Sequence, residues 1–267
     1  AELERLDLTL EAVDEGGLEA DAADEIGPEL ARAIRLAHDN LHAFHAAQKP
    51  APVRLETLEG VTCWQRYHPL ERVGLYIPGG SAPLFSSLLM LGVPARIAGC
   101  EELVVCTPPN PDGTIHPAIA FTARLLGIPR VFRMGGAQAI AAMAFGTETV
   151  PQVDKIFGPG NAYVTMAKQL VQSMGTPIDL PAGPSELLVL ADRGCRPEFV
   201  AADLLSQAEH GPDSQVILLT DSMPALQNVL QAVAEQLPRL PRAEIAANAL
   251  ANSHAVRLEN LDAALAL

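Results

Sequence analysis

From residue 73 onward, short apolar runs alternate with longer stretches in which apolar residues recur at helical spacing. The runs Val73 to Ile77, Leu103 to Cys106, Val131 to Arg133, Lys155 to Phe157, Leu187 to Leu190, Gln215 to Thr220 and Ala255 to Leu258 read as strands. Between them, Leu84 to Ala98, Ala118 to Leu126, Ala137 to Phe145, Ala162 to Met174, Pro197 to Glu209, Pro224 to Gln236 and Ala243 to Ala251 read as helices. The first is expected to bend or break near Pro94. A final helical pattern runs from Leu258 to Leu267. Strands bounded by glycine or proline and alternating with helices argue for parallel βαβ units, and so for an α/β fold.

Upstream the pattern is looser. Residues 1 to 26 are acidic and weakly patterned. Gly27-Pro28 opens a helix to about Ala47, with Leu30, Ile34, Ala37, Leu41 and Phe44 at helical spacing. Lys49-Pro50-Ala51-Pro52 reads as a linker. Val61 to His68 alternates as a strand with Trp64 expected half-buried.

Composition narrows the classes. A chain of 267 residues holds two modest α/β domains or one large one. With 49% hydrophobic but 4% aromatic residues, its core is Leu, Val, Ile and Ala. A net charge of -14 argues against nonspecific binding to nucleic acid or to an anionic membrane surface. No apolar run reaches the length of a membrane span, and no basic-then-apolar leader is present. Cys63, Cys100, Cys106 and Cys195 are scattered with no CxxC, which suits a reducing, cytoplasmic setting. The chain starts at Ala1 in an acidic stretch and stops at Leu267 within a helical pattern, so it reads as a fragment truncated at both ends.

Candidate chemistry lies at the ends of elements. Pro78-Gly79-Gly80, Gly135-Gly136 and Gly158-Pro159-Gly160 each follow a strand and precede a helix, whose free N–H groups attract phosphate. None is a GxGxxG or Walker loop. Three such turns, beside Tyr76, Gln138 and Asn161, favour a nucleotide or dinucleotide cleft at the carboxyl ends of the strands. Ser185, in Pro181-Ala182-Gly183-Pro184-Ser185-Glu186, lacks a nucleophile elbow and reads as a hydrogen-bonding or turn residue. Gln207 and His210 lie three apart at a helix end stopped by Gly211-Pro212. Spacing leaves two readings open there, a ligand pair for one ion or a solvated helix cap. His38, His42 and His45 share a helix face that reads as solvated. Cys100 and Cys106 read as buried structural thiols, with no basic neighbour in sequence.

Five segments occur in order between residues 74 and 215: GLYIPGGSAPLF from Gly74, GGAQAIA from Gly135, FGPGN from Phe157, PAGPSE from Pro181 and SQAEHGPDSQ from Ser206. Together they resemble histidinol dehydrogenase. The resemblance implies a zinc-dependent, NAD-linked oxidation of L-histidinol through L-histidinal to L-histidine, the last steps of histidine biosynthesis. It implies that Tyr76, Gln138 and Asn161 line the NAD site, that Ser185 contacts substrate, and that Gln207 and His210 bind both zinc and substrate. It implies an aldehyde-dehydrogenase-like fold of two intertwined Rossmann-like domains with mainly parallel sheets. One would comprise residues 1–75 and 189–267, the other 76–188. The family is a homodimer with an exchanged C-terminal segment. Its catalytic Glu-His base pair falls beyond the equivalent of Leu267, as do its remaining zinc ligands. The chain as given therefore holds half a metal site and no catalytic base, and is expected to be inactive alone. Two alternatives stand beside this reading: a metal-independent NAD dehydrogenase of another alcohol or aldehyde, and a noncatalytic nucleotide-binding paralogue.

Overall fold

A computed structural model of the protein describes residues 25–79, 83–181 and 186–265. Its elements are α1 (Pro28–Ala47), β1 (Val53–Leu58), β2 (Val61–Gln65), β3 (Arg72–Tyr76), α2 (Phe85–Ala98), β4 (Glu102–Thr107), α3 (Pro117–Leu125), β5 (Val131–Arg133), α4 (Gly136–Phe145), β6 (Lys155–Phe157) and α5 (Ala162–Ser173). They continue with β7 (Glu186–Ala191), α6 (Pro197–Ala208), β8 (Gln215–Thr220), α7 (Met223–Gln236), α8 (Ala243–Ala251), β9 (His254–Arg257) and α9 (Leu261–Leu265). The chain divides into two compact units, Ala1–Pro181 and Ala182–Leu267.

The first unit is built on a parallel sheet of order β5-β4-β3-β6. Strand period assigns its side chains to two cores. Val73, Leu75, Leu103 and Val105 join Ile34 of α1, Leu88 and Leu89 of α2 and Phe121 of α3. Tyr76, Val104, Cys106 and Ile156 join Ile140 and Met143 of α4 and Val164 of α5. Both faces of the sheet are thus covered, which is why its strands read as nearly continuous apolar runs. The chain moves outward from β3 to β4 to β5, then returns to lay β6 on the other side of β3. The order reverses between β3 and β6, and in open α/β sheets that reversal opens a crevice at the carboxyl ends of the strands.

The second unit is a parallel sheet of order β7-β8-β9 with Leu204, Leu205, Val216, Leu218, Val229 and Ala246 in its core. The strand-and-helix alternation expected from the sequence is therefore present in both units. Among the described residues no helix is long and apolar enough to cross a membrane.

Four local expectations change. Helix α2 runs unbroken through Pro94; the carbonyl deprived of its partner is that of Met90, a surface residue that water reaches. The last helix begins only at Leu261, because the Asn260 side chain accepts the Ala263 N–H at 2.8 Å and fixes the start there. The strand read over Val61 to His68 ends at Gln65 and pairs in an antiparallel hairpin with Val53–Leu58, where no element was expected. Trp64 on that hairpin is not half-buried but 67% exposed, since neither hairpin strand contributes a residue to any of the cores.

Candidate functional site

The carboxyl edge of the first sheet gathers three of the sequence-predicted residues. Tyr76 ends β3 and is 3% exposed. Its hydroxyl accepts the Gly136 N–H at 3.0 Å, which ties the end of β3 to the start of α4. Burial, before any other cause, pushes the Tyr76 hydroxyl above its ordinary pKa, so it stays a neutral phenol. Gly136 takes a positive φ of 70°, open to glycine, and Gln138 lies exposed in the next turn with its amide folded back over Gly136. No side chain caps α4 at Gly135, and its first turn carries no acidic residue. The N–H groups there are suited to an anion.

Across the crevice, Leu75 of β3 pairs with Phe157 of β6, so the residues just beyond, Tyr76 and Gly158, lie side by side. Gly158 has φ 127°, and a Cβ on it would stand 2.1 Å from the Tyr76 carbonyl oxygen. Only glycine lets the turn press this close to β3. The turn then delivers Asn161, exposed, whose side-chain oxygen accepts the Val164 N–H at 3.1 Å and caps α5.

Sequence reasoning missed the groups that hold this turn. Lys168, on α5 and 2% exposed, donates from Nζ to the Gly158 carbonyl at 2.7 Å and pairs with Asp179. The second Asp179 oxygen accepts the Gly158 N–H at 2.7 Å. Asp179 is brought alongside because the Asp179 N–H donates to the Ile156 carbonyl and Ile178 bridges Ile156 in parallel, extending the sheet past β6. A lysine in an amphipathic helix reads as solvated, so the sequence carried no signal for it.

In the second unit, Gln207 is half-buried and His210 exposed at the end of α6. The His210 Nδ1 stands 2.8 Å from the Ser206 carbonyl. A carbonyl only accepts, so Nδ1 carries a proton; in the neutral ring this leaves the Nε2 lone pair as the one a metal would take. The pair sits near the amino edge of its sheet, where Glu186 and Gln215 pair, and not at the carboxyl edge that the general rule favours. Ser185 and the Ser81 end of the first glycine turn lie outside the described residues. Among the described residues no three His, Cys, Asp or Glu side chains cluster to hold a metal. By donor chemistry an imidazole and an amide oxygen could supply two of zinc's four ligands, and not a complete set. The uncapped start of α4 leaves free N–H groups of the kind that a dinucleotide's phosphates take. The cysteines stay out of this chemistry: Cys106 is buried, and burial raises the Cys100 thiol.

Comparison with known proteins agrees along the chain. The family model described as histidinol dehydrogenase matches residues 4–267. A histidinol dehydrogenase of Bacteroides thetaiotaomicron is 58% identical over 242 residues, 91% of this chain and 56% of that relative. The crystal structure of histidinol dehydrogenase from Elizabethkingia anophelis superposes with a TM-score of 0.92 at 53% identity, covering 97% of this chain and 59% of that one. Betaine aldehyde dehydrogenase from Staphylococcus aureus shares the fold more distantly, with a TM-score of 0.50 at 13% identity, covering 89% of this chain and 52% of that one. The chain thus spans less than two thirds of the length of the histidinol dehydrogenases that it matches.

Proposed function

Because the chain belongs to the histidinol dehydrogenase family, we propose that it forms the NAD-binding part, and half the zinc-binding part, of an enzyme that oxidises L-histidinol through L-histidinal to L-histidine. What supports this reading is that Tyr76, at the end of β3, ties down Gly136 at the start of α4 and lies beside Gly158, which opens the turn to Asn161.

In this reading the start of α4 meets the cofactor's phosphates, with Tyr76 locking the Gly136 peptide in place beneath them. Gln138 and Asn161 supply amide groups to its sugars and base edges. Since the Asn161 oxygen caps α5, the hydrogen bond it offers a ligand comes from its amide nitrogen. NAD, when bound, would supply the hydride acceptor for one two-electron oxidation, so two NAD molecules bound in turn would serve the two steps. Ser185 hydrogen-bonds the substrate. The His210 Nε2 and the Gln207 side-chain oxygen hold the metal and help seat the substrate. Bound zinc supplies a Lewis acid that orients the amino alcohol through its amine and imidazole. Oxidising the aldehyde needs water added to its carbonyl, hence a general base, which this reading places at a Glu-His pair beyond Leu267. The working protein is then a cytoplasmic homodimer with an exchanged C-terminal segment.

The test is NADH formation from L-histidinol by the full-length protein, with and without a chelator. Turnover that chelation abolishes and added zinc restores is expected. Turnover indifferent to metal removal would overturn the zinc reading. NAD binding without turnover would leave a nucleotide-binding paralogue.

A further inference from the structure

We propose that the buried Lys168–Asp179 pair is the positioning device that gives the Gly158–Asn161 turn its cofactor-binding shape; the inference rests on the NAD reading above. The Lys168 ammonium bonds the Gly158 carbonyl and Asp179. It acts through the backbone. Gly158 is gripped from both sides, its carbonyl by the Lys168 ammonium and its N–H by the Asp179 carboxylate, while these two groups pair with each other. Both grips are charge-assisted, so they are stronger than the ordinary loop hydrogen bonds they replace. They act on a peptide pressed against the Tyr76 carbonyl, where small displacements meet backbone and not a flexible side chain. Three residues further on stands Asn161, which caps the helix that carries Lys168. Turn, helix and carboxylate therefore close a ring: α5 holds the lysine, the lysine holds Gly158, and the turn from Gly158 sets the cap of α5.

A buried ion pair contributes little net stability after its desolvation cost, and replacing one by apolar groups is often neutral. Placed here, its effect is geometric. It fixes one backbone conformation of the turn before the cofactor arrives, so that binding does not have to order it.

The experiment compares the full-length wild type with Lys168→Met and Asp179→Asn. Calorimetric NAD affinity and the steady-state KM values for NAD and L-histidinol are measured separately on variants shown by thermal melting to be folded. Misplacement of the turn weakens NAD binding by roughly tenfold to a hundredfold, and raises the KM for NAD while the KM for L-histidinol and the zinc content hold. Wild-type NAD affinity in both variants would overturn the proposal and leave the NAD reading standing. A wild type that binds no NAD would overturn both. A fall shared equally by NAD and L-histidinol would reduce the pair to a general structural role, and also overturns it. Should neither variant fold, hydrogen exchange on the wild type decides. Slow exchange through residues 156–161 without NAD supports a pre-set turn; fast exchange that slows only when NAD is added overturns it.

Discussion

Tyr76 shows how one buried polar atom shapes a site. Its hydroxyl is held within a mainly apolar core, and its partner is the backbone N–H of Gly136. Burial raises its pKa, so the folded protein keeps the phenol proton at a pH where the unfolded chain, with an ordinary value of 10.0, releases it. The sign follows: this contribution to stability is complete below the unfolded value and is lost as pH rises through the folded one. The denaturation midpoint should therefore fall between about pH 9 and pH 11, and fall less in Tyr76→Phe, which has no proton to release there. Urea titrations of both proteins at the two pH values check this. An equal fall would assign the loss to other groups. None of this was legible from the sequence, where Tyr76 was an aromatic beside a glycine turn. Its burial and the distant partner Gly136 came with the fold.

At the scale of elements, the sequence was most readable where the chemistry was local. Val73, Leu75 and Leu103, Val105 announced strands because a doubly covered parallel sheet needs apolar residues on both faces. The hairpin was less legible, since Val53–Leu58 mixes Arg54 and Glu56 with apolar residues and buries none of them. The clamp on Gly158 joins residues 158, 168 and 179, three elements that only the sheet topology brings together. For the same reason the glycine turn was legible as a turn, but the groups that support it were not. Helix α5 supplies a direct check, because Asn161 is both its cap and a proposed cofactor contact. Asn161→Ala should cost about 1 kcal/mol of stability and also weaken NAD binding. Asn161→Asp keeps a capping oxygen and the stability with it, while losing the amide donor, so NAD binding alone should weaken. Chemical denaturation and NAD titration separate the two effects. If the Asp variant bound NAD like the wild type, Asn161 would be a cap and nothing more.

For the molecule as a whole, the α/β class and the order of its motifs were legible end to end, and the family match from residue 4 to 267 agrees with them. The proposed metal role of Gln207 and His210 rests on the resemblance alone. Among the described residues no three His, Cys, Asp or Glu side chains gather into a metal-holding group. On the proposed function, a protein ending at Leu267 is expected to form no NADH from L-histidinol, and the longer protein is expected to form it. Steady turnover by a sample whose intact mass matches the 28.3 kDa of this chain would remove the need for any residue beyond it.

The exposed hairpin bears on how such measurements are read. The chain has a single tryptophan, and it is Trp64, two-thirds exposed on a ribbon that joins none of the cores. Its emission begins near that of indole in water. Melting either core therefore changes the signal little, and a shift to shorter wavelength reports that something has covered the ribbon. Intrinsic fluorescence of this protein is a probe of association at the hairpin, and following its unfolding takes circular dichroism or calorimetry.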